Sequence, residues 1–115
     1  MLGSSITMIN QTLHHETYEN NSSNQWIAFV HGAGGSIQTW KKQIAYFRPH
    51  FNLLLLDLRD HGNSKNVHPN FDTYTFEYIS KDVKKVLDLH SIKHAHFIVL
   101  SFGSVLIQDF SSRYP

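Results

Sequence analysis

The chain has 115 residues, 41% of them hydrophobic and 13% aromatic, which is enough to bury one modest core and argues against disorder of the whole chain. The formal net charge is +1 and the basic residues are scattered, which excludes the electrostatic footprint of a protein that binds nucleic acid or a membrane surface. There is no cysteine, which excludes disulfides but does not indicate a compartment. Residues 1–11 lack the basic start and sustained apolar core of a targeting signal, and the apolar runs are too short to cross a bilayer, so we expect a cytoplasmic protein.

The first 24 residues are predicted to form an N-terminal hairpin. Ile6 to Ile9 and Thr12 to Tyr18 alternate weakly between apolar and polar residues, as the strands of a half-buried hairpin do. Residues 19–24 are all polar, which is typical of a turn.

Three apolar runs predict three buried strands: Trp26 to Val30, Phe51 to Leu56 and Ala95 to Leu100. Apolar residues at spacings of three and four predict helices over 37–47, over 76–89 and from Ser101 to about residue 114. Strands that alternate with helices indicate βαβ units, and therefore an α/β fold with a mostly parallel sheet and helices on both faces. Residues 60–75 are interpreted as a long loop, and residues 1–115 as one domain.

The loop after the first predicted strand is rich in glycine. His31-Gly32-Ala33-Gly34-Gly35-Ser36 can fold tightly and present unpaired backbone N–H groups, which a developing oxyanion requires. Ligands of an open parallel sheet lie beyond the carboxyl ends of its strands, where this loop is placed. The alternatives are a plain turn and a phosphate cradle, but neither glycine-rich phosphate motif is present.

The loop after the second predicted strand carries Asp57 and His61, whose spacing permits an acid–base pair. A structural role is favoured, because the Asp, Asn, Ser and Gly residues between 57 and 64 can bond loop backbone locally.

Ser101 follows the third predicted strand and precedes a helix. A serine at this position is often a simple N-cap. It can also be a nucleophile, because the N-terminus of the helix presents N–H groups and a positive dipole to developing negative charge.

Taken together, the three loops resemble those of the α/β-hydrolase family of single-domain esterases, lipases and peptidases, over residues 26–115. His-Gly-x-Gly-Gly-Ser followed by Trp40 is similar to the family's oxyanion loop and first helix. Asp57-x-Arg59-x-His61-Gly62-x-Ser64 resembles its Asp-x-Arg-Gly-x-Gly-x-Ser turn, and Leu89 to Ser101 resembles its approach to the nucleophile elbow. The resemblance implies the N-terminal half of that fold, truncated after the helix behind the elbow.

The resemblance also implies roles for single residues. Ser101 is the nucleophile, and the backbone N–H groups of Ala33 and Phe102 form the oxyanion hole. Eight further residues shape the loops around the pocket: His31, Gly32, Gly34, Asp57, Arg59, Gly62, Ser64 and Gly103. The implied reaction is attack on the carbonyl of a small ester, amide or similar substrate, through an acyl-enzyme and with neither metal nor organic cofactor.

Two departures from the family pattern stand out. The elbow motif Gly-x-Ser-x-Gly has Val99 in place of its first glycine and Leu100 in place of the histidine common before the serine, which crowds a tight turn. Past Ser101 the chain offers Asp109 and no histidine, so the acid and base that complete a triad have no counterpart. We therefore expect weak turnover at best from this chain alone.

Two other functions stay open at this point. The chain can be a non-catalytic remnant that associates with itself, or with a complementing C-terminal half, through an exposed sheet edge. It can also be a lyase or a cofactor-free transferase, since fold does not fix function. No metal site is expected from His14, His15, His90, His94 and His96, which lack a recognised ligand spacing.

Overall fold

The structure, a computed structural model, describes residues 12–59, 61–64 and 75–115. Its four strands are β1 (His15–Tyr18), β2 (Trp26–Val30), β3 (Asn52–Leu56) and β4 (His96–Val99). Its helices are α1 (Lys41–Phe47), α2 (Phe76–Leu89) and α3 (Phe102–Arg113), and two short 3₁₀ turns cover Ile37–Trp40 and Gly62–Ser64.

The strands form one sheet in the order β1-β3-β2-β4. β2 lies between β3 and β4 and is parallel to both, with Val30 opposite Leu56 on one side and Val99 on the other. β1 pairs with the outer side of β3 in the antiparallel direction. This mixed, mostly parallel sheet confirms the predicted α/β fold.

The core lies on both faces of the sheet, because all of β2 and all of β3 after Asn52 are apolar, so that apolar side chains face both sides. Alternate residues such as Val30 and Leu56 pack with α2 and α3 on one face. The residues between them, such as Phe29 and Leu55, pack on the other face with Ile37 and Trp40. Helices therefore cover both faces, as predicted, and the carboxyl ends of three parallel strands are brought to one edge.

The segment after β2 differs from the single predicted helix. Residues 37–40 form a 3₁₀ turn and α1 begins only at Lys41. Ser36 caps the turn by accepting from Gln38 N–H, while Thr39 Oγ1 accepts from Ser36 N–H. Asp57 also accepts from Ile37 N–H, so three acceptors hold the first turn tightly and away from α-helical geometry.

Half of the predicted N-terminal hairpin lies outside the described residues, since Ile6 to Ile9 precede residue 12. The second half forms β1, whose partner is β3. The predicted loop over 60–75 also lies mostly outside the described residues.

β4 borders the sheet on the side away from β3. Its four residues are exposed or half-buried, whereas β3 is buried throughout. Within the described part of the chain, β4 pairs only with β2.

Candidate active site

Three loops meet at the carboxyl ends of β2, β3 and β4. The glycine-rich loop after β2 lies directly against the junction of β4 and α3, because a Cβ placed on Gly32 would be 3.3 Å from both Leu100 O and Ser101 Cβ. The loop after β3 reaches the same place through His61, whose Nε2 is 3.0 Å from Gly34 N. The residues singled out in the three loops thus lie together.

Ser101 occupies the turn between β4 and α3 in a strained conformation. Its φ is 44° and its ψ is −108°, in a region that residues with a Cβ seldom adopt. Its side chain is exposed and makes no capping hydrogen bond with α3. The hydroxyl of Ser101 therefore does not cap the helix. Strain of this kind costs about 1–3 kcal/mol and is concentrated at functional sites.

Gly103 allows the elbow to pack closely against β2. A Cβ at this position would lie 2.7 Å from Val30 O, and the N–H of Gly103 donates to Leu100 O at 2.7 Å. Val99, which replaces the glycine of the family motif, is the half-buried last residue of β4. The elbow backbone forms with valine there, because Val99 lies in regular strand pairing opposite Val30.

The two predicted oxyanion-hole residues lie in the segments that adjoin Ser101, since Phe102 follows it and Ala33 follows Gly32, whose Cβ would be 3.3 Å from Ser101 Cβ. Phe102 is the first residue of α3, where the N–H groups point outward with the positive end of the helix dipole. Ala33 is an exposed residue of the turn closed by Gly35 N–H and Gly32 O, 3.0 Å apart. Neither the Ala33 nor the Phe102 N–H donates to an acceptor among residues 12–59, 61–64 and 75–115.

Asp57 fastens two loops together. Its Oδ1 accepts from Ile37 N–H at 2.7 Å and its Oδ2 from Asn63 N–H at 2.9 Å. Ser64 Oγ donates to Asp57 O and accepts from His14 N–H. The Asp57 carboxylate accepts from backbone N–H groups and does not bond His61. This agrees with a structural role for Asp57 and not with an acid–base pair.

His31 and His61 use both ring nitrogens within the loops. His31 Nδ1–H donates to Gly32 O at 2.7 Å, and its Nε2 accepts from Leu58 N–H at 2.9 Å. His61 Nδ1–H donates to Arg59 O at 2.9 Å, and its Nε2 accepts from Gly34 N–H. Burial lowers the pKa of His31, with a smaller lowering from His61. Neither ring has a nitrogen free to accept the Ser101 proton.

Arg59 anchors the second loop to α2. Its guanidinium is 2% exposed and bonds the Asp82 carboxylate through two nitrogens, at 2.9 and 3.0 Å. Phe102, the residue after the serine, stacks on Phe76 at the start of α2, with ring centroids 5.5 Å apart. α2 thus supports both the second loop and the elbow.

Asp109 faces away from the elbow, two turns along α3. It accepts from Ser80 Oγ at 2.7 Å and from Arg113 Nε at 2.8 Å. The bond from Arg113, and then that from Ser80, lowers the pKa of Asp109. This carboxylate joins α3 to α2 and does not face Ser101.

The other histidines lie elsewhere. His94 and His96 are exposed near the start of β4, while His15 and His90 face each other with their Nε2 atoms 2.9 Å apart. In the described ranges no three His, Cys, Asp or Glu side chains come together as a metal site. Among the same residues, none of the helices has the length and apolar character needed to cross a membrane.

The contact between His61 and Gly34 is the feature of this site that the sequence does not reveal. The two residues are 27 positions apart and come from loops on neighbouring strands. Only the strand order, with β3 beside β2, signals that their loops meet.

Comparison with known proteins gives a consistent result. The family model described as "alpha/beta hydrolase fold" matches residues 25–115. The chain is 30% identical over 90 residues to 3-oxoadipate enol-lactonase 2 of Acinetobacter baylyi, covering 77% of this chain and 32% of that protein.

Solved structures agree. A hydrolase from Pseudomonas aeruginosa superposes with a TM-score of 0.75 at 28% identity, covering 84% of this chain and 35% of that one. The enol-lactonase from Burkholderia xenovorans gives 0.73 at 30% identity, covering 82% and 35%. The chain thus spans about a third of the length of these proteins. It belongs to the α/β-hydrolase fold family.

Proposed function

We propose that the chain carries the nucleophile and oxyanion hole of a serine hydrolase that acts on the carbonyl of an ester or amide. The observation that carries the proposal is Ser101, an exposed serine held at a φ of 44° between β4 and α3. Such a turn at the carboxyl edge of a parallel sheet exposes the hydroxyl to substrate.

The chemistry follows from what surrounds Ser101. Oγ attacks the carbonyl carbon, and the carbonyl oxygen becomes an oxyanion that the N–H groups of Ala33 and Phe102 stabilise. The C–O or C–N bond to the leaving group then breaks, giving an acyl-enzyme that water hydrolyses. Donors fixed in advance stabilise such an oxyanion because they need not reorient during the reaction.

The proton of Ser101 Oγ needs an acceptor. No histidine follows Ser101 in this sequence, and both rings near the site have their nitrogens bonded to backbone. The described part of these 115 residues therefore offers no histidine nitrogen as a base for Ser101, and we expect the acylation rate of a polypeptide of this length to be low unless a base is added.

The names of the relatives support an ester substrate. Several of the matched proteins are enol-lactonases, and a lactone is a cyclic ester. Beside the serine, Leu100 is 47% exposed, and the half-buried Phe102 ring lies against Phe76. These apolar side chains favour an uncharged acyl group near the nucleophile.

Labelling with a fluorophosphonate probe tests the proposal. We expect one adduct per chain by intact mass, located on Ser101 by peptide mapping, and a faster reaction when imidazole is added as a base. Ser101→Ala should abolish the adduct, while the matched variant Ser104→Ala, one turn into α3, should retain it. Absence of any adduct on Ser101 in the presence of imidazole would contradict the proposal.

A second candidate, a partner-dependent protein without catalysis of its own, is supported by β4. This strand pairs on one side only within the described residues. A strand with an open edge can accept another strand from a second copy or from a complementing polypeptide. Self-association without labelling of Ser101 would favour this candidate.

A further inference from the structure

The turn that carries Ala33 depends on the orientation of two peptide groups. Gly35 N–H closes the turn on Gly32 O, and Gly34 has a φ of 80°, as the third residue of a type II turn requires. A type II turn becomes type I when its central peptide, here between Ala33 and Gly34, rotates while the flanking residues stay in place. The turn itself therefore does not fix that peptide.

His31 fixes the first of the two peptides. Its Nδ1–H donates to Gly32 O, and the carbonyl and N–H of a trans peptide point in opposite directions. Holding Gly32 O on the His31 side consequently directs the Ala33 N–H away from that ring. Leu58 N–H, which donates to His31 Nε2, keeps the ring in place.

His61 acts on the second peptide. Its Nε2 accepts from Gly34 N–H at 3.0 Å, while its Nδ1–H donates to Arg59 O at 2.9 Å. Arg59 is buried against Asp82, so the carbonyl that orients the imidazole belongs to a rigid part of the second loop. The ring can accept from Gly34 only as the neutral tautomer with its proton on Nδ1, and the bond from Arg59 O selects that tautomer.

We infer that His61 is a positioning residue of the proposed oxyanion hole. The Ala33 N–H belongs to the Gly32–Ala33 peptide that His31 orients, and His61 holds the next peptide, Ala33–Gly34, so that Ala33 is restrained on both sides. Ala33 is held between two imidazoles, one acting on the peptide before it and one on the peptide after it. The rings of His31 and His61 also contact each other, with centroids 4.9 Å apart. This inference rests on the proposed function for its catalytic meaning, but the hydrogen bond can be tested without it.

Two substitutions separate the two bonds of His61. In His61→Asn the amide N–H can replace Nδ1–H toward Arg59 O, but the side chain is too short to reach Gly34. In His61→Gln the Oε1 atom reaches the position of Nε2 and can again accept from Gly34 N–H. The exposed His96, changed to Asn, is the matched control for loss of an imidazole elsewhere.

The experiment measures amide hydrogen exchange at Gly34 by NMR and the rate of Ser101 labelling by a fluorophosphonate with imidazole added. We expect His61→Asn to raise the exchange rate of Gly34 and to lower the labelling rate, each by about tenfold, the upper range for one neutral hydrogen bond. His61→Gln should bring both rates back to within about threefold of the parent chain, and His96→Asn should change neither. The melting temperatures of the Asn and Gln variants show that both remain folded at the labelling temperature, so that slower labelling of His61→Asn cannot be attributed to unfolded chain.

Unchanged exchange at Gly34 in His61→Asn would overturn the inference, whatever the labelling shows. Faster exchange with an unchanged labelling rate would also overturn it, because the turn would then move without affecting the oxyanion hole. If Ser101 is not labelled even in the parent chain, the proposed function fails, and the inferred role of His61 in catalysis fails with it. Exchange at Gly34 would still report separately whether His61 holds the turn.

Discussion

At the scale of single residues, Gly62 makes room for the carboxylate that fastens the loops. A Cβ on Gly62 would lie 2.5 Å from Asp57 Cγ, and the residue has a φ of 49°. Both the close approach and the left-handed backbone require glycine. Gly34 also has a left-handed φ, of 80°, but no atom lies within 4 Å of where its Cβ would be.

This contrast gives a prediction about stability. Gly34→Ala should lower the free energy of unfolding by about 1 kcal/mol, the cost of placing a Cβ residue in the left-handed region. Gly62→Ala should cost the same amount and in addition displace Asp57 from Ile37 and Asn63, for a total of about 3 kcal/mol. Urea unfolding of both variants measures the difference. Equal losses would show that the Asp57 carboxylate can shift at little cost.

The stability of the folded chain should depend on pH through His31. The pKa of His31 in the folded chain is lowered from its ordinary value of 6.5. Just below pH 6.5 the His31 ring therefore binds a proton more readily in the unfolded chain than in the folded chain. The contribution of His31 to stability is therefore full above pH 6.5 and is lost as the pH falls below that value. Unfolding free energies between about pH 5 and 7.5 should rise with pH less steeply in His31→Gln than in the parent chain. His96→Gln, an exposed site, should leave the slope unchanged, and an unaltered slope in His31→Gln would contradict the argument.

At the scale of elements, the site depends on how α2 is joined to the loop after β3. The buried pair of Arg59 and Asp82 crosses from that loop to the middle of α2. The exposed pair of Lys84 and Asp88 lies on the same helix and joins residues one turn apart. The two pairs differ in burial and in whether they connect separate elements.

Removing the negative charge of each pair tests whether the buried pair contributes more to stability than the exposed pair. Asp82→Asn should lower the free energy of unfolding by about 3 kcal/mol, because the buried Arg59 loses the charge that faces it from α2. Asp88→Asn should change it by less than about 0.5 kcal/mol, as an exposed pair is screened by water. Thermal or urea unfolding distinguishes the two. A loss of similar size in both variants would mean that the buried pair does not link the loop to α2.

How far the sequence reveals each element depends on how local its determinants are. β2 and α2 lie where their apolar patterns predict them. A strand buried on both faces is a continuous apolar run, and a helix buried along one stripe has apolar residues at spacings of three and four, so both can be recognised from the local sequence. The 3₁₀ turn over 37–40 does not follow from its own pattern, since Asp57 holds it from another loop. Likewise, Ser101, the glycine-rich loop and the Asp57 motif can be recognised in the local sequence. The hydrogen bond between His61 and Gly34 can be predicted only once the order of the strands is known.

At the scale of the whole molecule, β4 is one of the two edge strands of the described sheet, and it is the one that adjoins the elbow. Leu100 N–H donates to Val30 O, so the even-numbered residues of β4 direct their backbone groups at β2. By the alternation of a strand, Phe97 and Val99 direct theirs outward, where no described strand pairs with them. Beside the edge lies an open pocket of about 440 Å³, in which the apolar residues Ile92, Phe97 and Phe110 are joined by charged ones such as Lys84 and Asp88. An unpaired edge with half-buried apolar side chains is a template for pairing.

We therefore expect a polypeptide of these 115 residues to associate through β4 and to elute with a mass above 13.3 kDa in size-exclusion chromatography with light scattering. A double variant, His96→Lys with Ile98→Lys, places two positive charges on one face of β4. In a symmetric antiparallel pairing these charges face those of the second copy, so the variant should shift toward the monomer. His50→Lys, an exposed site beyond α1, adds a charge away from the edge and should leave the oligomer intact. If the parent chain instead elutes as a monomer at about 100 μM, where even weak pairing is populated, the open edge of β4 is not a pairing surface.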